Sequence, residues 1–205
     1  MRIGIDIDDT MGNFSETLFN YALEYDKSLR NKGIIYENTN LIDSKFDWTE
    51  EEYSYFYKKY IELTGHNLKP FKDVKNVIDE LRKMGHEIII ISLRGEGYID
   101  APSMTKTWLE KNNIVVDKII LDVKDKSEVA FKENLDYFID DLPYNCEIVS
   151  KMGIKTFLYT SYQNKNYNNK DIERINNWEE FYDRILEYSK CGDQYDKEYK
   201  NICKR

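Results

Sequence analysis

Residues able to do chemistry gather at four places in this 205-residue chain. The first is RIGIDIDDTMGNF, residues 2–14, where Ile3, Ile5 and Ile7 alternate with polar positions and run into Asp6, Asp8 and Asp9. Three carboxylates within four residues repel one another, and burial adds a cost unless a cation or hydrogen-bond donor compensates. A positive partner is therefore expected. The second place is IIIIS, ending in Ser92 with Arg94 just beyond. The third is the stretch 122–126, which carries Lys124 and Lys126, and the fourth is YFIDD, ending in Asp140 and Asp141. An all-oxygen donor set suits magnesium, and an anionic substrate would need a local positive site. Asp6, Asp8 and Asp140 are the expected source of that donor set.

These residues can meet only if the elements carrying them converge. Residues 2–7 read as a strand, and 14–30 as a helix from the spacing of Leu18, Tyr21, Ala22 and Tyr25. The stretch 31–68 has no strong strand signal, but DWTEEEYSYFYKKYIEL offers Thr49 as N-cap, glutamates in the first turn and aromatics at helical spacing. A helix over 74–84, Gly85 at its end and a strand over 87–91 follow. The pattern repeats as MTKTWLEKNN then KIILD, and as KSEVAFKEN then YFID. A helix over 144–152, the strand KTFLYT, the loop SYQNKNYNNKD and the helix NWEEFYDRILEYS complete the order, with a polar tail from Cys191. Alternation of this kind predicts a parallel sheet with right-handed crossovers, whose carboxyl strand ends share one ligand-binding edge. Asp6, Ser92, the 122–126 loop and Asp140 with Asp141 all fall on that edge.

Composition narrows the class. A hydrophobic content of 41% with 14% aromatics describes a folded globule, and a net charge of −8 disfavours a binder of nucleic-acid polymers. Cys146, Cys191 and Cys203 show no C-x-x-C spacing, and His66 and His86 are too few for a zinc cluster. The longest apolar run falls far below the roughly 18 residues of a spanning helix, and the first residues enter a strand pattern at once. The expectation is a cytoplasmic protein without membrane contact. Its oligomeric state is left open, a homodimer included.

DIDDT after a strand, IIIISLRG after a second, KDK before a helix and FIDD at a further strand end resemble the four motifs of the haloacid dehalogenase-like phosphatases. MTKTWLEKNNI, VKDKSE and FIDDLPYN are similar to the bacterial nucleotidase branch related to 5′(3′)-deoxyribonucleotidases. The resemblance implies an α/β, Rossmann-like three-layer sandwich with a mostly parallel sheet and a small helical cap inserted after the first strand. It implies a core over 1–13 and 69–190, a cap over 14–68 and a tail over 191–205. Asp6 would be the nucleophile that becomes an aspartyl-phosphate, and Asp8 the acid for the leaving oxygen and then the base for water. Mg2+ would be held by Asp6, the Asp8 backbone carbonyl and Asp140, with Asp141 a direct or water-mediated ligand. Ser92 would donate to the phosphoryl group, Lys126 would neutralise it, and Phe14 would face the substrate. The implied partner is a small phosphate ester, a nucleoside monophosphate first and a sugar or polyol phosphate second. Asp9 departs from the branch, where glycine commonly stands.

Simpler readings compete at each position. Asp8, Asp9 and Thr10 can cap the following helix, Lys124 rivals Lys126, and Arg94 can reach the phosphate or pair with an acidic neighbour. The stripe 53–60 fits cap core better than pocket. A phosphotransferase and a non-catalytic ligand-binding protein of the same fold are the alternatives to a phosphatase.

Overall fold

The computed structural model describes residues 1–37, 39, 45–95 and 97–189; the expected tail over 191–205 lies outside them. Six strands, β1 (Arg2–Ile5), β2 (Glu87–Ile91), β3 (Lys118–Ile120), β4 (Tyr137–Asp140), β5 (Lys155–Tyr159) and β6 (Glu173–Ile175), pair in parallel. Their order is β3-β2-β1-β4-β5-β6. The helices are α1 (Phe14–Leu29), α2 (Glu50–Asn67), α3 (Val74–Lys83), α4 (Ala101–Lys111), α5 (Lys126–Lys132), α6 (Pro143–Ser150) and a closing α7 over 178–189.

The unbroken apolar run of β2 follows from burial on both faces. Ile88 and Ile90 join Ile3, Ile5 and Ile139 beneath Ile78 and Leu81 of α3, Trp108 of α4 and Phe181 of α7. Ile89 and Ile91 join Phe138 beneath Ala130 of α5 and Val149 of α6. The result is the expected three-layer sandwich. The winding runs outward from β1 to β2 and β3, then returns to the other side of β1 for β4, so the reversal lies between β1 and β4.

Three local expectations differ from the structure. β1 stops at Ile5 rather than Ile7, because the Ile7 carbonyl accepts from the N–H groups of Met11 (2.8 Å) and Gly12 (3.2 Å) in a tight turn instead of joining the ladder. α4 starts at Ala101, ahead of the MTKTWLEKNN segment. The Asp100 carboxylate accepts from Ser103 N (3.0 Å), and Pro102 sits in the first turn, where its missing N–H is harmless. β6 has no counterpart in the sequence pattern, since the three residues Glu173–Ile175 are too few to display an alternation.

Between β1 and α3 the chain leaves the sheet and returns at one point. Asn13 N donates to Lys69 O (3.0 Å), Lys69 N to Asn13 Oδ1 (2.8 Å) and Phe71 N to Met11 O (2.8 Å). The intervening α1 and α2 pack around Leu18, Ala22, Tyr25, Phe46 and Phe56. Thr49 and Glu52 form the reciprocal capping box that opens α2. Phe56 and Tyr60 of the aromatic stripe belong to this small core, as expected. α2 then lies on α4 at Gly65, where an added Cβ would collide with Met104 Sδ. Glu62 accepts from Ile99 N (3.2 Å) and Asp100 N (3.3 Å) at the start of α4.

Trp108 joins these parts, since its buried ring donates Nε1–H to Leu68 O at 2.8 Å. Trp108→Phe keeps most of the apolar contact but orphans a buried carbonyl, and should lower stability by about 1–3 kcal/mol. Urea denaturation of both proteins checks this, and an unchanged midpoint contradicts it.

Candidate active site

The winding reversal places two acidic strand ends side by side. Ile5 pairs with Ile139, and Asp6 N continues the ladder to Ile139 O (3.1 Å), so Asp6 emerges next to Asp140. Ser92 follows β2, and Lys126 opens α5 behind Asp125, whose carboxylate accepts from Ser127 N (2.9 Å). Among the expected site residues, Asp6, Asp8, Phe14, Ser92, Arg94, Lys124, Lys126 and Asp141 line one cleft of about 600 Å³. Asp140 is fully buried beside it. The sequence therefore brought together residues up to 135 positions apart.

Lys126 is the electrostatic centre. Its Nζ donates to Asp6 Oδ1 at 2.5 Å and to Asp140 Oδ2 at 2.6 Å, with all three side chains nearly inaccessible to water. Burial alone would lower the lysine's pKa, but Asp140 and Asp6 outweigh it and hold the ammonium charged. Burial pushes Asp6 up to about 7, against the pull of Lys126 and with the repulsion of Asp140 and Asp8. Asp141 is also raised well above the carboxylate range, first by burial and then by Asp140 and Asp6. Two carboxylates thus bind one ammonium, with the charge of a third close by. Lys124, its rival in the sequence, is exposed at the rim.

The Arg94 guanidinium is fully buried and grips Asp8, with Nε 2.9 Å from Oδ2 and Nη2 on Oδ1. Of the two roles left open for Arg94, the geometry places it on the acidic neighbour. Asp9 turns the other way, as a helix-capping residue: its carboxylate accepts from Ser15 N (2.9 Å) and from the Ser15 hydroxyl. Its φ of 56° is left-handed, a conformation that glycine adopts freely and aspartate tolerates. Ser92 is buried, and its Oγ accepts from Arg94 N at 3.4 Å.

Several contributors escaped the sequence reading. Asn145 donates Nδ2–H to Asp140 Oδ2 (3.0 Å), and Leu142 N donates to Asp140 Oδ1 (2.8 Å). Tyr98 stands beside Asp8, and burial followed by that charge raises its hydroxyl pKa. Tyr57, Tyr144 and Gln163 complete the mouth. Leu142, Tyr144 and Asn145 lie within FIDDLPYN and Tyr57 within the stripe 53–60, but the sequence assigns them no place at the site, and Tyr98 and Gln163 carry no motif at all.

Comparison with known proteins gives the family and the fold. The family model described as 5′ nucleotidase, deoxy (Pyrimidine), cytosolic type C protein matches residues 1–190. The chain belongs to this family. A nucleotidase of Clostridium acetobutylicum is 35% identical over 145 residues, spanning 69% of this chain and 73% of that protein. A Bacillus cereus relative is 30% identical over 194 residues, spanning 90% of this chain and 98% of that protein. In fold, a haloacid dehalogenase-like family hydrolase of Streptococcus pneumoniae superposes with a TM-score of 0.62 at 14% identity, over 91% of this chain and 97% of that one. The enzyme is accordingly a hydrolase of the phosphatase class. No described helix is long and apolar enough to cross a membrane.

The buried charges make stability depend on pH in a defined direction. Asp6 sits at about 7 in the fold against an ordinary value of 3.8, so its contribution to stability is full below 3.8 and declines as pH climbs through 7. Lys126 opposes that decline. Lys126→Met should therefore lower stability by about 3–5 kcal/mol near pH ~8 and by less near pH ~5, where Asp6 carries its proton. Urea titrations in EDTA at the two pH values test this, and a deficit independent of pH contradicts it.

Proposed function

We propose that the enzyme hydrolyses phosphomonoesters, nucleoside monophosphates foremost, through an aspartyl-phosphate on Asp6 with Mg2+ as cofactor. The observation that carries this reading is the arrangement at the β1 and β4 ends: Asp6 is immobilised by Lys126, open to the cleft and accompanied there by Asp8. In the first step an Asp6 oxygen bonds to phosphorus while the ester P–O bond breaks, and Asp8, which has to enter this step protonated, gives that proton to the departing oxygen. In the second, Asp8 takes a proton from water, whose oxygen displaces Asp6 and releases phosphate. Lys126 and the Ser92 hydroxyl face the phosphoryl oxygens and offset charge that builds there. Arg94 keeps the Asp8 carboxylate aimed from one side.

The donor set fits magnesium. Asp6, Asp140 and Asp141 bring more buried negative charge than Lys126 offsets, and the described lining contains no histidine or cysteine. Magnesium keeps several waters and takes one or two carboxylates plus a substrate phosphate, so Asp6 and Asp140, the Asp8 backbone carbonyl and Asp141, directly or through water, would be its holders. When bound, Mg2+ supplies charge neutralisation for two anions that must approach each other.

The mouth supports a base-bearing leaving group. Phe14 and Leu18 of α1, Tyr57 and Ile61 of α2 and Tyr144 of α6 surround a charged floor, and aromatic faces stack on nucleobases with about 1–3 kcal/mol each. We assign the segment 14–68 as a cap that supplies part of this wall and limits water at the phosphoryl group, on a core of 1–13 and 69–190.

Phosphate release measured across nucleoside monophosphates, sugar phosphates and polyol phosphates, with Mg2+ and with EDTA, tests the reading. Release should require the metal and be fastest with nucleotides. Turnover undiminished in EDTA overturns the metal assignment, and a preference for sugar phosphates overturns the base assignment. Asp6→Asn should lose roughly 10³-fold or more in rate and form no covalent phosphoenzyme in acid-quenched intact-mass spectra. Asp8→Asn should retain the first step with a p-nitrophenolate leaving group and accumulate the phosphoenzyme. A phosphorylated Asp6→Asn protein would reverse the assigned roles.

A further inference from the structure

Asp140 and Asp141 repel each other and Asp6, yet Asp141 has to stay where it is. A carboxylate pressed by like charges swings away unless its backbone is pinned. Both carbonyls of the pair are pinned, by different elements. Asp140 O accepts from the buried Cys146 thiol of α6 at 3.5 Å. Asp141 O accepts from Asn164 Nδ2 at 2.7 Å, and the same amide reaches Tyr159 O, also at 2.7 Å.

Asn164 belongs to the polar loop after β5 and is only 2% exposed. Every polar atom of its side chain is used, because Oδ1 accepts from Ser161 N (3.2 Å) and from Arg174 Nη1 (2.8 Å). Arg174 comes from β6, the strand missed in the sequence. Its Nη2 also donates to Asn164 O (3.0 Å) and Tyr167 O (2.5 Å), and Nη1 to Thr160 Oγ1 (3.2 Å). One guanidinium therefore fixes both ends of the residue that holds Asp141. An arginine this far engaged with backbone oxygens is a rigid fork rather than a loose surface charge.

We propose that Arg174 and Asn164 are positioning residues for the divalent-cation site, a strut from the β6 edge that holds Asp141 towards the β1–β4 junction. The proposal rests on the Mg2+ reading above. Arg174 has no place in the cleft and acts solely through Asn164. Outer partners of metal ligands typically govern affinity by one to two orders of magnitude, because they fix ligand direction before the ion arrives. A brace for the loop alone would leave affinity untouched.

Binding of Mn2+, a paramagnetic probe for the Mg2+ site, is read by electron paramagnetic resonance of the free ion in the full-length protein, alongside thermal melting. Asn164→Ala and Arg174→Met should each weaken Mn2+ binding roughly tenfold. The double variant should be no weaker than Asn164→Ala alone, and Arg174→Lys should recover part of the loss. Folded variants that melt earlier but bind Mn2+ like the wild type overturn the strut. Should Asn164→Ala fail to fold, Arg174→Met and Arg174→Lys decide by the same comparison. A wild-type protein that hydrolyses phosphate esters without binding Mn2+ removes the metal reading and the strut with it. Wild-type binding with unaltered Arg174 variants removes the strut only.

Discussion

The buried Lys126 ammonium is the interaction on which the site depends. An ammonium and two carboxylates taken out of water lose several kcal/mol of hydration each, which only close and well-directed pairing offsets. That pairing requires Asp6 and Asp140 on adjacent strands and Lys126 at a helix start opposite them. The strand order, the Ile5 to Ile139 register and the Asp125 cap of α5 all serve this one convergence. Repulsion between the acids is not removed by it. Burial is the chief reason that Asp6 and Asp141 are raised above ordinary surface acids, and the excess of carboxylates over the one ammonium adds to it.

Around this floor the structure separates two environments. Charge lies at the strand ends, while the mouth is built from aromatic and aliphatic groups of α1, α2 and α6. Arg94 belongs to the floor although the sequence suggests a phosphate ligand equally well. Sealed from water, its guanidinium finds its counter-charge in Asp8. Asp9, next in the chain, has the opposite fate and spends its carboxylate on the first turn of α1.

The parts of this arrangement legible in the sequence are those encoded locally. Period-two isoleucines, the Thr49 to Glu52 box and the residues at strand ends each carry their own signal, and the strands over 87–91 and 137–140 lie where the pattern places them. Convergence of the motifs follows from parallel topology. What the sequence conceals is decided by distant partners. Asn145 and Asn164 look like ordinary polar residues until the fold buries them, Arg174 looks like a surface charge until it meets Asn164, and β6 is too short for any period. The end of β1 depends on which carbonyls the turn at 7–12 claims, a competition invisible to hydropathy.

The stitched crossing at Asn13 and Lys69 bears on how such a chain can diverge. Because the outgoing and returning segments are joined to each other by three backbone-directed bonds and clamped by Trp108, the excursion closes at the sheet as a single loop. Lengthening or rewriting the excursion changes loop-closure entropy only logarithmically and leaves the β1 terminus where it is. What such a change has to preserve is the contact of the excursion with α4, through Gly65 and Glu62.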